Sequence, residues 1–580
     1  MRIWKLSKMS FLEINDNYDY SSHQFAMTTF QKNFLFVFIA IFILVIKEGT
    51  ISAKILKPDF VSERWKVLEI TLQSDYEYLN PFNDVDVTAV FVGPNNEIIN
   101  RPAFWDGNNC WKIRFAPTVE GKWRMRTISN QNKDKGIHDI KSTIICKPYS
   151  GNLDIYRHGF VKVSGNARYF IYNDSTPFFY LGDTHWLFVH ERFARSNIDT
   201  IPSQFCYLVD KRVNQGFTVY QSEAIQRPHS DKHSHDSEEA YCHLENGFGN
   251  DDLAGFRNMD RKFEYIAEKG LLHANSQVCW VEEPVSYPDV YTIKYMYRLG
   301  RYWSARYGAY PVLWTIAQEV DKDFFGRINK NNGLQKWQAL ARGLTENDDY
   351  HHPLSAHMER ISSTSLSNSS WKDLLFHNWW AVQWNCNMSQ YKLIEELWNY
   401  TTKKPLVLFE AGYENLSKDS YTVIGDAYMA FLSGMFGYGY GANGVWNDLY
   451  DMEDWGTAYK MPEHYTNWFW GSQLNGAILL KHFKQFFTSF EWWKLEPQFS
   501  SIEFAKLDDK TRSAVSVIGD QMYVCYLGSA NRYTGKLYKL DPRKQYMAIW
   551  FDPSNGIRCK FCVEIHVYVY IVEYIPFIIY

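Results

Sequence analysis

The sequence predicts a multidomain chain: a central (β/α)8 barrel flanked by an N-terminal β-sandwich and a small C-terminal β-domain. Three observations predict it. Between Pro177 and Asp448, apolar strand-like runs alternate with helical stretches, the texture of βαβ units on a parallel sheet. On either side of that interval, short runs alternate apolar and polar residues and are broken by turn pairs. Two of the central runs, PVLWTIAQEVD (Pro311 to Asp321) and PLVLFEAGYEN (Pro405 to Asn415), each end an unbroken apolar strand on a glutamate.

The boundaries follow from these textures. Residues 1–53 hold the apolar run Phe34 to Ile46, short for a spanning helix but suited to the core of a signal peptide. Lys32 precedes it, Ile51-Ser52-Ala53 fits a cleavage site, and Met27 would make an ordinary start. An uncleaved signal anchor is the alternative; only in that case does the chain touch a membrane. Either way the body is expected to be secreted. The sequons at Asn173, Asn368, Asn387, Asn399 and Asn415 are compatible with that route.

Residues 54–150 read as the β-sandwich. WKVLEITLQS, DVDVTAVFVGP and CWKIRFAPTVEGKWRMRTIS alternate, with turn pairs at Asn80-Pro81, Gly93-Pro94, Asp106-Gly107 and Glu120-Gly121. A structural cap on the next domain is favoured over a sugar-binding role.

Residues 151–485 carry the barrel, of TIM type. Its eight expected strands are Pro177–Trp186, Phe217–Ala224, Leu271–Trp280, Pro311–Glu319, His352–Met358, Leu374–Trp380, Pro405–Glu410 and Gly441–Asp448. Gly270 stops the helix before the third. In such a barrel all strand ends gather on one face, so Glu319 after strand four and Glu410 after strand seven meet there. A glycosidase needs such a pair: one carboxylic acid protonates the leaving oxygen, and the other carboxylate attacks or activates water. Other tips converge with them: Asp183, Gln221, Trp280, Gln318, His377, Trp446 and Asp448.

Residues 486–556 return to short β runs, a second β-domain. The tail, residues 557–580, is almost uniformly apolar and aromatic, a hazard if exposed as a strand. It reads as a gene-model error or as a domain whose last strands are missing.

Composition narrows the function classes. Lys and Arg number 61 against 65 Asp and Glu, a near balance that offers no basic footprint for nucleic acid or a polybasic membrane surface. Aromatic content of 17% fits both large cores and flat platforms for sugar rings. Nine cysteines, an odd count, show no framework spacing, and Cys559 and Cys562 form a CxxC without a second pair, so zinc is not expected. The stretch His229 to His243 is rich in histidine, but its spacing matches no standard ligand set, and a solvated loop at the cleft is favoured. No metal and no cofactor are expected, and the oligomeric state is not legible.

With these residues in hand, the chain resembles the apiosidase-like (DUF4038-type) glycoside hydrolases with a DUF5060-type N-terminal sandwich and a C-terminal domain of the collagen-binding type. The resemblance rests on APTVEGKWRMRT, PFFYLGDTHW, FTVYQSEA, AEKGL, PVLWTIAQEVD, PLVLFEAGYEN and YMAIWFDPSNG, in that order, over roughly residues 60 to 556. It implies a retaining glycosidase acting on an oligo- or polysaccharide, with Glu319 as acid/base and Glu410 as nucleophile. Gln318 stands where many barrel glycosidases of this clan carry Asn. The acid of such a pair is kept protonated by burial or by its partner's negative charge, and the nucleophile stays ionised. Trp446 is the candidate floor under the reacting sugar, and Asp183 and His377 are candidate hydroxyl ligands. Two other readings stay open: a non-catalytic carbohydrate-binding or surface-interaction protein on a degenerate barrel, and a metal-dependent hydrolase using the histidine stretch.

Overall fold

The computed structural model describes residues 59–223, 250–280, 288–289, 291–319, 333–360, 377–383, 388–400, 402–450, 467–499, 502–503, 513–527, 536–537, 543, 547–560 and 568–573. The apolar run Phe34 to Ile46, the histidine-rich stretch 229–243, and Asn368 and Asn387 lie outside them. Residues 58–580 form one compact unit. Among the described residues no helix is long and apolar enough to cross a membrane.

The N-terminal part is two facing sheets. One has five strands in the order β1 (Phe60–Glu63), β8 (Lys141–Lys147), β7 (Gly121–Ser129), β3 (Val87–Val92) and β4 (Ile98–Pro102). The other is β2 (Leu68–Gln73), β6 (Cys110–Phe115) and β5 (Phe104–Trp105). Burial alternates along β3 and β7, as the sequence period requires. Phe91 and Phe115 stack between the sheets with centroids 3.8 Å apart.

This sandwich is bound to the barrel by buried ion pairs. Arg114 on β6 reaches Asp260 of the barrel helix α2 (Asn250–Glu268), at 3.0 Å, and Arg306 of α3 (Ile293–Tyr307) pairs with the same carboxylate. Arg306 also pairs with Asp106 of the sandwich at 3.0 Å. Burial raises the Asp260 carboxyl, yet the two guanidinium groups outweigh it and hold the acid far below its usual range. Burying such charges is costly unless each is paired, so the two domains are fixed to one another.

A small three-stranded sheet, β9 (Lys162–Val163), β10 (Phe170–Ile171) and β11 (Pro177–Phe178), leads into the barrel. The barrel strands are β12 (Tyr180–His185), β13 (Val219–Glu223), β14 (Leu272–Trp280), β15 (Val312–Gln318), β16 (Leu354–Ser355) with β17 (His357–Arg360), β18 (Trp380–Gln383), β19 (Leu406–Glu410) and β20 (Gly437–Tyr440). All pair in parallel, and β16 and β17 close the two ends of the sheet as halves of one fifth strand interrupted at Ala356. The strands are buried on both faces, which explains their unbroken apolar runs. Around them lie α1 (Gln204–Asn214), α2, α3, α4 (Gly333–Thr345), α5 (Met388–Asn399), α6 (Ser420–Leu432), α7 (Trp468–Ser472) and α8 (Asn475–Phe487).

Two expected strands move. The sixth begins at Trp380, so His377 precedes it and lies at the N-terminal end of the strand. The paired aromatics Trp379-Trp380 open this strand rather than close it. The eighth is Gly437–Tyr440, a run of glycine and tyrosine that carries little apolar signal. Its glycines are required: a Cβ at Gly439 would fall 2.1 Å from the Phe409 carbonyl. The stretch Gly441 to Asp448, taken from sequence as the strand, is the loop that follows it.

Beyond α8 a six-stranded sheet runs β21 (Glu496–Pro497), β23 (Ser513–Ile518), β24 (Met522–Leu527), β28 (Tyr568–Glu573), β26 (Ala548–Phe551) and β27 (Arg558–Lys560), beside a pair β22 (Ile502–Glu503) and β25 (Lys536–Leu537). The tail thus supplies β28, paired in parallel with both β24 and β26. The sheet packs on α6 and α8: Tyr428 stacks on Tyr526 at 5.5 Å, and Phe486 meets Phe551 at 4.5 Å.

Candidate active site

Gln221 on β13 spans the lumen: it accepts from Tyr180 Oη at 3.0 Å and donates to the Phe409 carbonyl at 2.8 Å and to Thr184 Oγ1 at 3.2 Å. Strands two and seven are not neighbours, so this side chain is a cross-brace.

Above it stands Glu410, at the end of β19. Strands six and seven pair with Val382 opposite Leu408 and then Gln383 opposite Glu410, skipping Phe409. Such a bulge turns the following side chain to the other face. Phe409 already faces inward, against Trp186, Trp379 and His357. The shift is what brings Glu410 inward as well.

Glu410 is buried and closely held. Tyr413 Oη donates to its Oε1, and His357 Nε2 lies 3.2 Å from its Oε2. Gln383 stands opposite Glu410 on the neighbouring strand. Burial pushes the Glu410 carboxyl up, but His357, Tyr413 and Gln383 outweigh it and hold it below the usual glutamate range. Trp186 Nε1 donates to Tyr413 Oη at 2.7 Å. An indole N–H can only donate, so the phenol oxygen accepts there and its own hydrogen goes to Glu410. Trp186 lies on His357 with centroids 5.5 Å apart, and Trp446 stacks on Tyr413 at 4.5 Å and 11°.

Glu319 follows β15 directly and is half-buried. Its φ is 47°, in the left-handed region that a glutamate rarely adopts. Strained backbone of this kind clusters at functional sites. Gln383 Nε2 lies 3.3 Å from Glu319 Oε1, so the residue paired opposite Glu410 also bonds Glu319. Gln318, beside it, ends β15 opposite Trp280 of β14; the Trp280 side chain lies outside the described residues.

The remaining residues named from sequence take other positions. Asp183 alternates outward, away from the lumen. Arg212 of α1 donates to it through Nε at 2.7 Å, and His185 Nε2 lies 2.7 Å away. His185 is held on its other side by Glu191 at 2.5 Å, and this pair of carboxylates raises it to about 9 against the effect of burial. Asp183 is therefore a strut between barrel and helix layer, because a strand tip offers only every second residue to the lumen. His377 bonds Ser355 Oγ at 3.0 Å, at the end of the barrel opposite the glutamates. Trp446 is in place beside Tyr413, but in the loop after strand eight rather than on the strand.

The residues not foreseen are Gln383, His357, Tyr413 and Trp186. Tyr413 carried a signal, lying one short turn after Glu410 in EAGYEN, and His357 is a polar residue inside an apolar run. Gln383 was hidden by the misplaced sixth strand. Among the described residues no group of three or more His, Cys, Asp or Glu is arranged to hold a metal ion.

Comparison with known proteins bears on the same region. The family model described as apiosidase-like, catalytic domain, matches residues 164–494, and a domain of unknown function, DUF5060, matches residues 61–130. A Bacteroides vulgatus protein assigned to the glycoside hydrolases is similar in structure at TM-score 0.60 and 19% identity, over 87% of this chain and 93% of that one. A glycoside hydrolase family 5 protein of the same species is similar at TM-score 0.58 and 17% identity, over 72% of this chain and 89% of that one. No curated protein matches the sequence.

Proposed function

The chain belongs to the apiosidase-like family, a glycoside hydrolase-like family, and on that footing we propose that it cleaves O-glycosidic bonds of an oligo- or polysaccharide with retention. Glu410 is the nucleophile and Glu319 the acid/base. The observation that carries the reading is Gln383, which pairs opposite Glu410 on the neighbouring strand and donates its amide to Glu319 at the C-terminal end of the barrel.

The chemistry follows from the arrangement. Glu410, held ionised, attacks the anomeric carbon while Glu319 protonates the departing oxygen, and a glycosyl ester forms on Glu410. Glu319, now a carboxylate, takes a proton from water, which attacks the same carbon and releases the sugar. Tyr413, His357 and Gln383 fix the attacking carboxylate. Trp446 offers a flat face for the sugar ring, with Gln318 and Trp280 on the neighbouring strand ends. Asp183, Gln221 and His377 are engaged by the barrel's own groups and are left out of this site. Secretion from an N-terminal signal remains part of the proposal.

The test is trapping. A 2-deoxy-2-fluoro glycosyl fluoride should label the peptide containing Glu410, and the product should keep its anomeric configuration by NMR. Label on another carboxylate, or inversion, contradicts the assignment. A separation of ~5–5.5 Å between carboxyls goes with retention and ~6.5–9.5 Å with inversion.

A further inference from the structure

We propose that Arg192 and Asp448 form a clasp that positions Trp446 against Tyr413 and thereby sets how tightly the site holds its glycan. This rests on the glycosidase reading above. The two residues leave neighbouring strands: Arg192 lies in the loop after β12 and Asp448 in the loop after β20.

Arg192 Nη1 donates to Asp448 Oδ2 at 2.9 Å, and Gln204 Nε2, at the start of α1, donates to Oδ1. The Asp448 side chain is 3% exposed and that of Arg192 12%. The Arg192 guanidinium lies over the Tyr450 ring, 3.6 Å from its centroid, and the Arg192 amide donates to Gln204 Oε1 at 3.0 Å. A second tie runs beside it: Asn197 Nδ2 donates to the Tyr450 carbonyl at 2.6 Å, and Trp468 Nε1 donates to Asn197 Oδ1 at 2.8 Å. Two loops and a helix thus converge on one buried carboxylate.

What the clasp holds is the aromatic wall. The first loop begins with Trp186, which bonds Tyr413, and the second carries Trp446, which stacks on it. Asp448 itself has φ 42°, a left-handed residue held in place by its partners. A buried ion pair adds little net stability but does select one arrangement of the chains that carry it. The clasp acts on Trp446, which stacks on Tyr413, so its loss should fall on binding more than on chemistry.

The charge of the clasp is tunable. Facing Asp448 are Arg192 and Glu191 from the first loop, Gln204 from α1, Lys262 from α2 and Tyr220 from β13. Burial, opposed by Arg192 and assisted by Glu191, pushes the Asp448 carboxyl up to about 7. The carboxylate is ionised above that pH and loses its charge as pH falls through it, so KM should rise on the acid side.

The experiment compares the full-length protein with Arg192→Met, Asp448→Asn and the double variant. Hydrogen–deuterium exchange should quicken in residues 441–450 and 186–198 in either single variant, stay unchanged in 60–147, and gain nothing further in the double. On p-nitrophenyl pentosides and hexosides, KM should rise about fivefold or more with kcat within about twofold. The acid-side rise in KM should vanish in Asp448→Asn, and Arg192→Lys should restore part of the affinity. Unaltered exchange in 441–450, additive effects, or a loss borne by kcat alone would overturn the clasp. A folded wild-type protein that cleaves none of the probes counts against the glycosidase reading instead, and the exchange data still decide the clasp.

Discussion

Gln383 sits opposite Glu410 across strands six and seven only because the pairing skips Phe409. That one-residue shift places beside Glu410 an amide that bonds the Glu319 carboxyl group. The site is therefore built by a bulge as much as by its acids.

Replacing Gln383 by Leu removes the hydrogen bond to Glu319 and the amide beside Glu410 without adding bulk. Such bonds are worth ~1.5–3 kcal/mol, so kcat/KM should fall about tenfold to a hundredfold. Steady-state kinetics on any cleaved glycoside check it, and an unaltered kcat/KM would remove Gln383 from the site.

On the proposed mechanism Tyr413 should govern the acid limb of the pH profile. As the proposed nucleophile Glu410 must be ionised to attack, and its depressed carboxyl stays so until pH falls through that lowered value. Tyr413→Phe deletes the donor on Oε1, so the Glu410 carboxyl rises and the acid limb of kcat/KM shifts to higher pH. A limb that stays in place, or shifts down, contradicts the role given to Tyr413.

How much of this was legible in the sequence depends on what each residue's signal was. Strands one to four and seven announce themselves as apolar runs because both faces are covered, and Glu319 and Glu410 stand at their ends. Strand eight does not, because its glycines serve the crowded lumen around Gln221 and Phe409. Strand six starts at Trp380, where the sequence reading ends it, because its own run, Trp380–Gln383, is only four residues long. Asp183 shows the limit of reading strand tips: whether a tip residue faces the lumen is decided by parity, and a slip of one position exchanges faces. Bulges such as the one at Phe409 leave no mark in a single sequence.

The sandwich–barrel joint should be a major source of stability. Asp260→Ala would leave the Arg114 and Arg306 guanidinium groups without the carboxylate both share. Breaking a buried pair in this way costs ~3–5 kcal/mol. The thermal midpoint should drop by several degrees, and an unchanged midpoint would mean the joint is solvated.

The apolar tail should be needed for folding. Truncation after Gly556 removes β27 and β28, and with β28 the pairing partner of both β24 and β26. The strand edges this exposes on β24 and β26 favour aggregation. Expression of the truncated form should yield mostly insoluble protein; a soluble, fully active product would show that the tail is dispensable.

The most direct measurement is release of reducing sugar from a broad glycan panel by the full-length protein and by its Glu410→Gln form. Release by the first and less than about a tenth of that rate by the second is expected, with nearly the same thermal midpoint, since neutralising the proposed nucleophile removes the chemistry and leaves the fold. Retention of a tenth or more of the activity in Glu410→Gln would contradict it.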